Sequence, residues 1–154
     1  MSLPREVGKI ISSKGRTLAL AESVTGGLAS SMITEIPGSS SYFLAGFVTY
    51  SNQSKVELLG VKEETISAYG AVSAQTALEM AIGARRTIGA DIGAACTGIA
   101  GPTGATKDKP IGLVFFAVDD GAQTIVEKAL FEGDRARIKR QAADRLLELI
   151  LRIA

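Results

Sequence analysis

Short strand-like runs alternate with helical segments along this chain of 154 residues, and that alternation limits the possible folds more than any other feature. Apolar or β-branched runs typical of strands occupy 17–21, 42–50, 91–97 and 111–118, and a more polar alternating run occupies 124–131. Helical spacing and capping residues predict helices at 7–13, 28–35, 51–59, 73–86 and 133–153. Strands that alternate with helices pack as a sheet covered on both faces. We therefore predict a three-layer α/β/α sandwich.

The last two strands predict that the sheet is mixed rather than wholly parallel. Gly121 and Ala122 fit a tight connection between them, so we expect an antiparallel pair at one edge of a mostly parallel sheet. The run 111–118 is the most apolar, and we expect it in the middle of the sheet. The length of the chain is that of one domain, which we take to span 1–154.

The composition excludes several kinds of site. The chain has no histidine, the commonest general base and metal ligand, and one cysteine, Cys96, so we expect neither a disulfide nor a metal site. A formal net charge of +1 argues against general nucleic-acid binding. The sequence shows neither a signal-peptide pattern nor an apolar run of membrane-spanning length, so we expect a cytoplasmic protein that binds no membrane. Positive mean hydropathy and many small residues favour a homo-oligomer.

A first segment rich in glycine and hydroxyl groups, 22–27, lies between a predicted strand and a predicted helix. It offers the hydroxyls of Ser23 and Thr25 and the flexible backbone of Gly26 and Gly27. Ligands of such sheets bind beyond the carboxyl ends of the strands. The segment therefore predicts a substrate site with a candidate nucleophile, although a capped helix without a ligand fits the same residues.

A second segment, 49–55, also follows a predicted strand and brings Tyr50 and Lys55 toward the same edge of the sheet. A lysine whose pKa is lowered by its surroundings can act as the general base for a serine nucleophile. The alternative is an ordinary surface lysine at the start of a helix.

A third segment, 97–110, contains three glycines, two prolines and three threonines. Backbone amides near Thr97, Gly98 and Gly101 can hold an oxyanion or a phosphate, and a plain connecting loop is the alternative. Beyond it, Arg135 and Arg137 place cations in the first turns of the last helix, where each opposes the helix dipole by about 0.3–1 kcal/mol. These cations predict an anion site, or a solvated basic face paired with nearby aspartates.

Together the segments resemble the C-terminal domain of the CinA (competence/damage-inducible) family. The similarity runs nearly end to end, through segments that occur in the same order: 21–27, 37–40, 46–55, 59–61, 70–73, 97–102, 109–112 and 131–135. The resemblance implies an α/β/α domain that hydrolyses nicotinamide mononucleotide to nicotinic acid mononucleotide and ammonia, without a metal or an organic cofactor. It implies Ser23, Tyr50 and Lys55 as the catalytic residues and substrate contacts at Thr97 and Arg137.

The chain also departs from the family pattern. Val24 stands where a smaller residue or a cysteine is common, and residues 103–105 are less glycine-rich than the usual loop. Full-length CinA proteins carry a larger N-terminal domain, and we expect no activity of that domain from this chain.

The resemblance and the residues together suggest a mechanism. We expect Ser23 to attack the carboxamide carbon while neutral Lys55 takes its proton, directly or through Tyr50. Amides near Gly26 and Gly27, or in the 97–110 loop, would stabilise the oxyanion. The substrate phosphate would bind to glycine-loop amides or to the two arginines.

Three alternatives stay open at this point. Lys55 can be a phosphate ligand instead of a base. The enzyme can act on a different small amide. The chain can also be a non-catalytic nucleotide-binding or partner-docking module linked to competence and DNA damage, although such a module has no need of Ser23, Tyr50 and Lys55 together.

Overall fold

Five strands form the middle layer of the protein, whose computed structural model describes residues 1–154: β1 (Leu18–Glu22), β2 (Phe43–Val48), β3 (Ile92–Gly98), β4 (Leu113–Asp119) and β5 (Thr124–Leu130). Their order across the sheet is β2-β1-β3-β4-β5. β1 is parallel to both of its neighbours, whereas β4 is antiparallel to β3 and to β5. The predicted mixed sheet with an antiparallel edge is confirmed.

The middle of the sheet belongs to β3, so the central position expected for 111–118 is wrong. That run corresponds to β4, which lies beside the edge strand β5. It is strongly apolar because Val114, Phe116 and Val118 are fully buried on one face while Ala117 is fully buried on the other. Burial on two faces, which a strand next to an edge also has, produces the same pattern as a central position.

Six α-helices cover the two faces: α1 (Leu3–Ser13), α2 (Leu28–Thr34), α3 (Asn52–Leu59), α4 (Glu63–Tyr69), α5 (Ala74–Ile88) and α6 (Arg135–Ile153). One layer contains α1, α2 and α6, and the other contains α3, α4 and α5. The predicted three-layer sandwich is confirmed. No helix is both long enough and apolar enough to cross a membrane.

The short helix α4 is absent from the sequence predictions. It has seven residues and a single buried one, Thr65, so it lacks an apolar stripe that a pattern could reveal. The carboxylate of Glu79, on α5, accepts hydrogen bonds from the Lys62 N–H at 2.8 Å and from Thr65 Oγ1 at 2.6 Å. A residue distant in sequence therefore caps this helix.

Side-chain caps begin three of the predicted helices. Ser51 accepts a hydrogen bond from the Ser54 N–H before α3, and Ser73 accepts one from the Thr76 N–H before α5. Asp134 does the same before α6. Each cap satisfies one of the amides that a helix start leaves unpaired, so these starts are encoded locally.

The two helical layers contact the sheet differently. Leucine, isoleucine and valine dominate the core beneath α6, whereas alanine dominates the core beneath α5. A Cβ on Gly93 would collide with the carbonyl oxygen of Ala81, and one on Gly83 would collide with that of Leu59. These close approaches place α5 tightly against the sheet and α3 tightly against α5.

The fold brings the carboxyl ends of β1, β2 and β3 to the same edge, because these three neighbouring strands are parallel. The segment 23–27 leaves β1 there, the segment 49–51 leaves β2, and the long loop 99–112 leaves β3. All three polar segments singled out in the sequence therefore meet at one place.

Candidate active site

A cavity of about 320 Å³ opens where these strand ends meet. Its wall also includes the residues just before α5 and the first residue of α6. Of the predicted site residues, the lining contains Ser23, Tyr50, Lys55, Thr97, Gly98, Gly101 and Arg135. Seven candidates drawn from four separate segments thus share one pocket.

The floor of the cavity is a lysine–serine pair. Lys55 Nζ lies 3.0 Å from Ser23 Oγ, and the two residues are 1% and 7% exposed. The ammonium also donates to the carbonyl oxygens of Thr49 at 2.7 Å and Tyr50 at 3.3 Å. An ordinary surface lysine is therefore excluded.

Burial lowers the pKa of Lys55 from 10.5 to about 8, and the neighbouring Cys96 opposes that shift. A neutral amine has two N–H groups and one lone pair. The carbonyls of Thr49 and Tyr50 can accept both N–H groups, which leaves the lone pair for the hydroxyl proton of Ser23. The pair is thus arranged for proton transfer from the serine to the lysine.

The backbone around Ser23 is held at the end of β1. Its N–H donates to the carbonyl oxygen of Cys96 at 3.1 Å, and the Gly26 N–H donates to the Ser23 carbonyl at 3.1 Å. The N–H of Val24, which lines the cavity, has no hydrogen-bond partner in the protein. A ligand atom beside Ser23 can therefore take this amide as a donor.

The opposite wall contains residues that the sequence analysis did not assign. Ala71 and Val72 line the cavity from the turn before α5, and Thr97 Oγ1 holds this turn by a 2.8 Å hydrogen bond to the Ala71 carbonyl. Asn52 and Thr103 also line it. The segment 70–73 contributed to the family resemblance, but it has no side chain whose chemistry marks it, and only the tertiary contact reveals its place.

The rim of the cavity is formed by Tyr50 and Arg135. The tyrosine is 62% exposed, and its hydroxyl accepts a 3.0 Å hydrogen bond from Arg135 Nη2. Arg135 Nη1 donates to the carbonyl oxygen of Gly101 at 2.7 Å. The Tyr50 hydroxyl has no hydrogen bond to Ser23 or Lys55, so the catalytic role suggested for its side chain stays a prediction.

Four predicted substrate contacts do not line this cavity. Thr25 is buried and donates to Glu22 at 2.7 Å. Gly26 and Gly27, with φ of 62° and 102°, form the left-handed turn that leads into α2. Arg137 is exposed on α6, two residues beyond the arginine at the rim. Their proposed substrate contacts stay predictions.

Comparisons with known proteins identify the relationship. The family model for the CinA C-terminal domain matches residues 1–154. A CinA-like protein of Chloroherpeton thalassium is 45% identical over 154 residues, which cover 97% of this chain and 37% of that protein. The nicotinamide-nucleotide amidohydrolase PncC of Escherichia coli K12 is 43% identical over 151 residues, which cover 97% of this chain and 92% of that enzyme.

Solved structures agree with the sequence comparison. The competence/damage inducible protein CihA of Agrobacterium tumefaciens superposes with a TM-score of 0.96 at 38% identity, over 98% of this chain and 93% of that chain. The chain spans about a third of the length of several curated relatives, at 35%, 36% and 33%. It belongs to the CinA C-terminal domain family.

Proposed function

We propose that this protein is an amidohydrolase that converts nicotinamide mononucleotide to nicotinic acid mononucleotide and ammonia. One observation carries the proposal: a buried lysine with a lowered pKa lies at hydrogen-bond distance from a serine hydroxyl on the floor of an open cavity. Similarity to a nicotinamide-nucleotide amidohydrolase over nearly the whole length of both chains supports the choice of substrate.

The first chemical step is acylation of Ser23. Its Oγ bonds to the carboxamide carbon while its proton passes directly to Lys55 Nζ, since the two atoms are 3.0 Å apart. The tetrahedral intermediate then collapses, the C–N bond breaks, and protonated Lys55 gives its proton to the departing nitrogen as ammonia forms. Neutral Lys55 next removes a proton from water, whose oxygen attacks the ester carbon. The bond between that carbon and Ser23 Oγ then breaks, Lys55 returns the proton to Oγ, and nicotinic acid mononucleotide is released.

The oxyanion of the intermediate needs donors that are free and close to Ser23. The N–H of Val24 meets both conditions, because it has no partner in the protein and belongs to the residue that follows Ser23. The amide of Gly26, one of the donors suggested from the sequence, is bonded to the Ser23 carbonyl. Loss of one such donor typically costs about 10²–10³ in rate.

The rim supplies the group suited to the substrate phosphate. Arg135 lines the cavity and is exposed at its mouth, and a guanidinium is suited to bidentate contact with a phosphate. The free amides of the 99–104 loop lie on the same wall. We place the phosphate there, with the carboxamide directed toward the floor.

Release of ammonia from a panel of amides tests the proposal. We expect turnover of nicotinamide mononucleotide and little turnover of nicotinamide or a simple aliphatic amide, because both lack the phosphate that the rim would bind. Turnover of the small amides alone would indicate a different amidase. No turnover of any compound, together with nucleotide binding in calorimetry, would indicate a non-catalytic binding module and would overturn the proposal.

A further inference from the structure

We propose that Glu22 is a positioning residue, whose buried carboxylate holds the loop 23–27 against the start of α2 and so keeps Ser23 Oγ beside Lys55 Nζ. The inference rests on the proposed function in so far as Ser23 is the nucleophile. Glu22 is the last residue of β1 and directly precedes that serine. Its side chain does not line the cavity.

The carboxylate of Glu22 is fully buried and accepts four hydrogen bonds. Oε1 accepts from Thr25 Oγ1 at 2.7 Å and from the Ala29 N–H at 2.8 Å. Oε2 accepts from the Ser30 N–H at 2.9 Å and from Ser30 Oγ at 2.6 Å. No lysine or arginine forms an ion pair with it, so hydrogen bonds and the start of α2 compensate its charge.

These contacts join three parts of the chain that determine where Ser23 lies. The carboxylate belongs to β1, Thr25 belongs to the loop, and Ala29 and Ser30 belong to the first turn of α2. The residue at the N-cap of α2 is Gly27, which has no side chain to cap the helix. Glu22, which belongs to β1, caps the helix instead. The loop that carries Ser23 is therefore fixed both where it leaves β1 and where it enters α2.

The chemistry of the contacts requires a carboxylate at this position. Each of its oxygens accepts one backbone N–H, from Ala29 on one side and from Ser30 on the other. In the variant Glu22→Gln, the amide nitrogen must face one of these N–H groups, so two donors oppose each other whichever way the amide is turned. An isosteric change therefore displaces the loop from the start of α2.

The matched control is Glu79→Gln. Glu79 also accepts one backbone N–H and one threonine hydroxyl at the start of a helix, α4, and it lies outside the cavity. We expect both variants to lower the melting temperature. Only Glu22→Gln should lower kcat, by about 10–100-fold with KM within about threefold, because a nucleophile misplaced by about 1 Å loses on the order of 10² in rate.

A substrate-independent readout separates this inference from the proposed function. A fluorophosphonate probe reports the nucleophilicity of Ser23: the serine oxygen bonds to phosphorus, fluoride leaves, and Lys55 takes the proton. We expect labelling of Glu22→Gln to fall about as far as kcat does, while Glu79→Gln labels like the wild type. If the wild type labels but does not hydrolyse the nucleotide, the proposed substrate is wrong and the positioning role still stands on the labelling result.

A milder variant and a direct measurement of distance keep the inference testable if Glu22→Gln does not fold. Ser30→Ala removes one of the donors to Glu22 from α2 without altering the loop itself, and we expect a loss of several-fold in both kcat and labelling. Crystal structures of the variants give the distance between Ser23 Oγ and Lys55 Nζ, which is 3.0 Å in the wild type. An unchanged distance in Glu22→Gln, or labelling within about threefold of the wild type, would overturn the inference.

Discussion

The floor and the rim of the cavity contain the same pairing, a hydroxyl beside a cation, in opposite surroundings. On the floor, Ser23 and Lys55 are 3.0 Å apart and buried; at the rim, Tyr50 and Arg135 are also 3.0 Å apart but exposed. Burial lowers the pKa of the lysine to about 8, whereas an arginine stays protonated in either place. The geometry therefore favours proton transfer on the floor and binding at the rim.

The largest expected effect tests whether the floor contains the nucleophile. Ser23→Ala should lower kcat by about 10⁴-fold or more, since removal of a nucleophile typically leaves only the contributions of binding and oxyanion stabilisation. Because the rim is unchanged, affinity for the product should stay within about threefold, as measured by calorimetry. Ser54→Ala, which removes a hydroxyl from α3 outside the cavity, is the control. A fully active Ser23→Ala variant would falsify the serine mechanism.

The next effect distinguishes a base from a phosphate ligand. Lys55→Met replaces the amine with an apolar side chain of similar length and so removes the base. We expect kcat to fall by about 10²–10⁴-fold with little change in KM. The exposed Lys62→Met is the matched control, with activity like that of the wild type. A rise in KM with kcat unchanged would mean that the lysine binds the phosphate, and the division between floor and rim would then be wrong.

The pH profile of the wild type follows from the pKa of the floor lysine. The neutral form is the active base, and with a pKa of about 8 its population increases as the pH rises. We expect kcat/KM to increase about tenfold from pH 6 to pH 7 and to level off above pH 8. A requirement for charged Lys55 predicts the opposite, a decline above pH 8. Initial rates of ammonia release between pH 6 and pH 9.5 decide between the two.

The rim gives a smaller effect, in KM rather than in kcat. Arg135→Ala removes the guanidinium at the cavity mouth, and we expect KM to increase about tenfold or more, the usual size of a hydrogen bond to a charged group. The family resemblance assigns a substrate contact to Arg137 instead, which is exposed and does not line the cavity. Steady-state kinetics of Arg135→Ala and Arg137→Ala show which arginine binds. If only Arg137→Ala raises KM, the rim of the substrate complex differs from the arrangement in this structure, and Arg135 is not the phosphate ligand.

The contrast between floor and rim also explains what the sequence could predict. The strand–helix alternation predicts the sandwich, and parallel strands bring Ser23 and Lys55 to one edge because their segments follow neighbouring strands. Hydroxyl caps such as Ser73 mark helix starts through contacts within three residues. Local patterns of this kind suffice to place the three main segments of the site.

Contacts between distant segments are the part that local patterns do not reveal. The turn at Ala71 enters the cavity wall through a hydrogen bond from Thr97, 26 residues away, and α4 is capped by Glu79 from another helix. Burial of Lys55 lowers its pKa, and the residues next to it in the sequence do not predict that burial. The same holds for the four donors gathered around Glu22.

The smallest expected effect concerns the hydroxyl at the rim. Tyr50→Phe keeps the ring and the backbone carbonyl that accepts from Lys55, and it removes only the acceptor for Arg135. An exposed hydrogen bond typically contributes about 0.5–1.5 kcal/mol. We therefore expect KM to change by less than about tenfold and kcat by less than about threefold. A relay of the serine proton through Tyr50 would instead require a loss of at least 10²-fold in kcat. Single-turnover rates of acylation measure that difference directly, since a rim residue leaves the acylation step unchanged whereas a proton relay controls it.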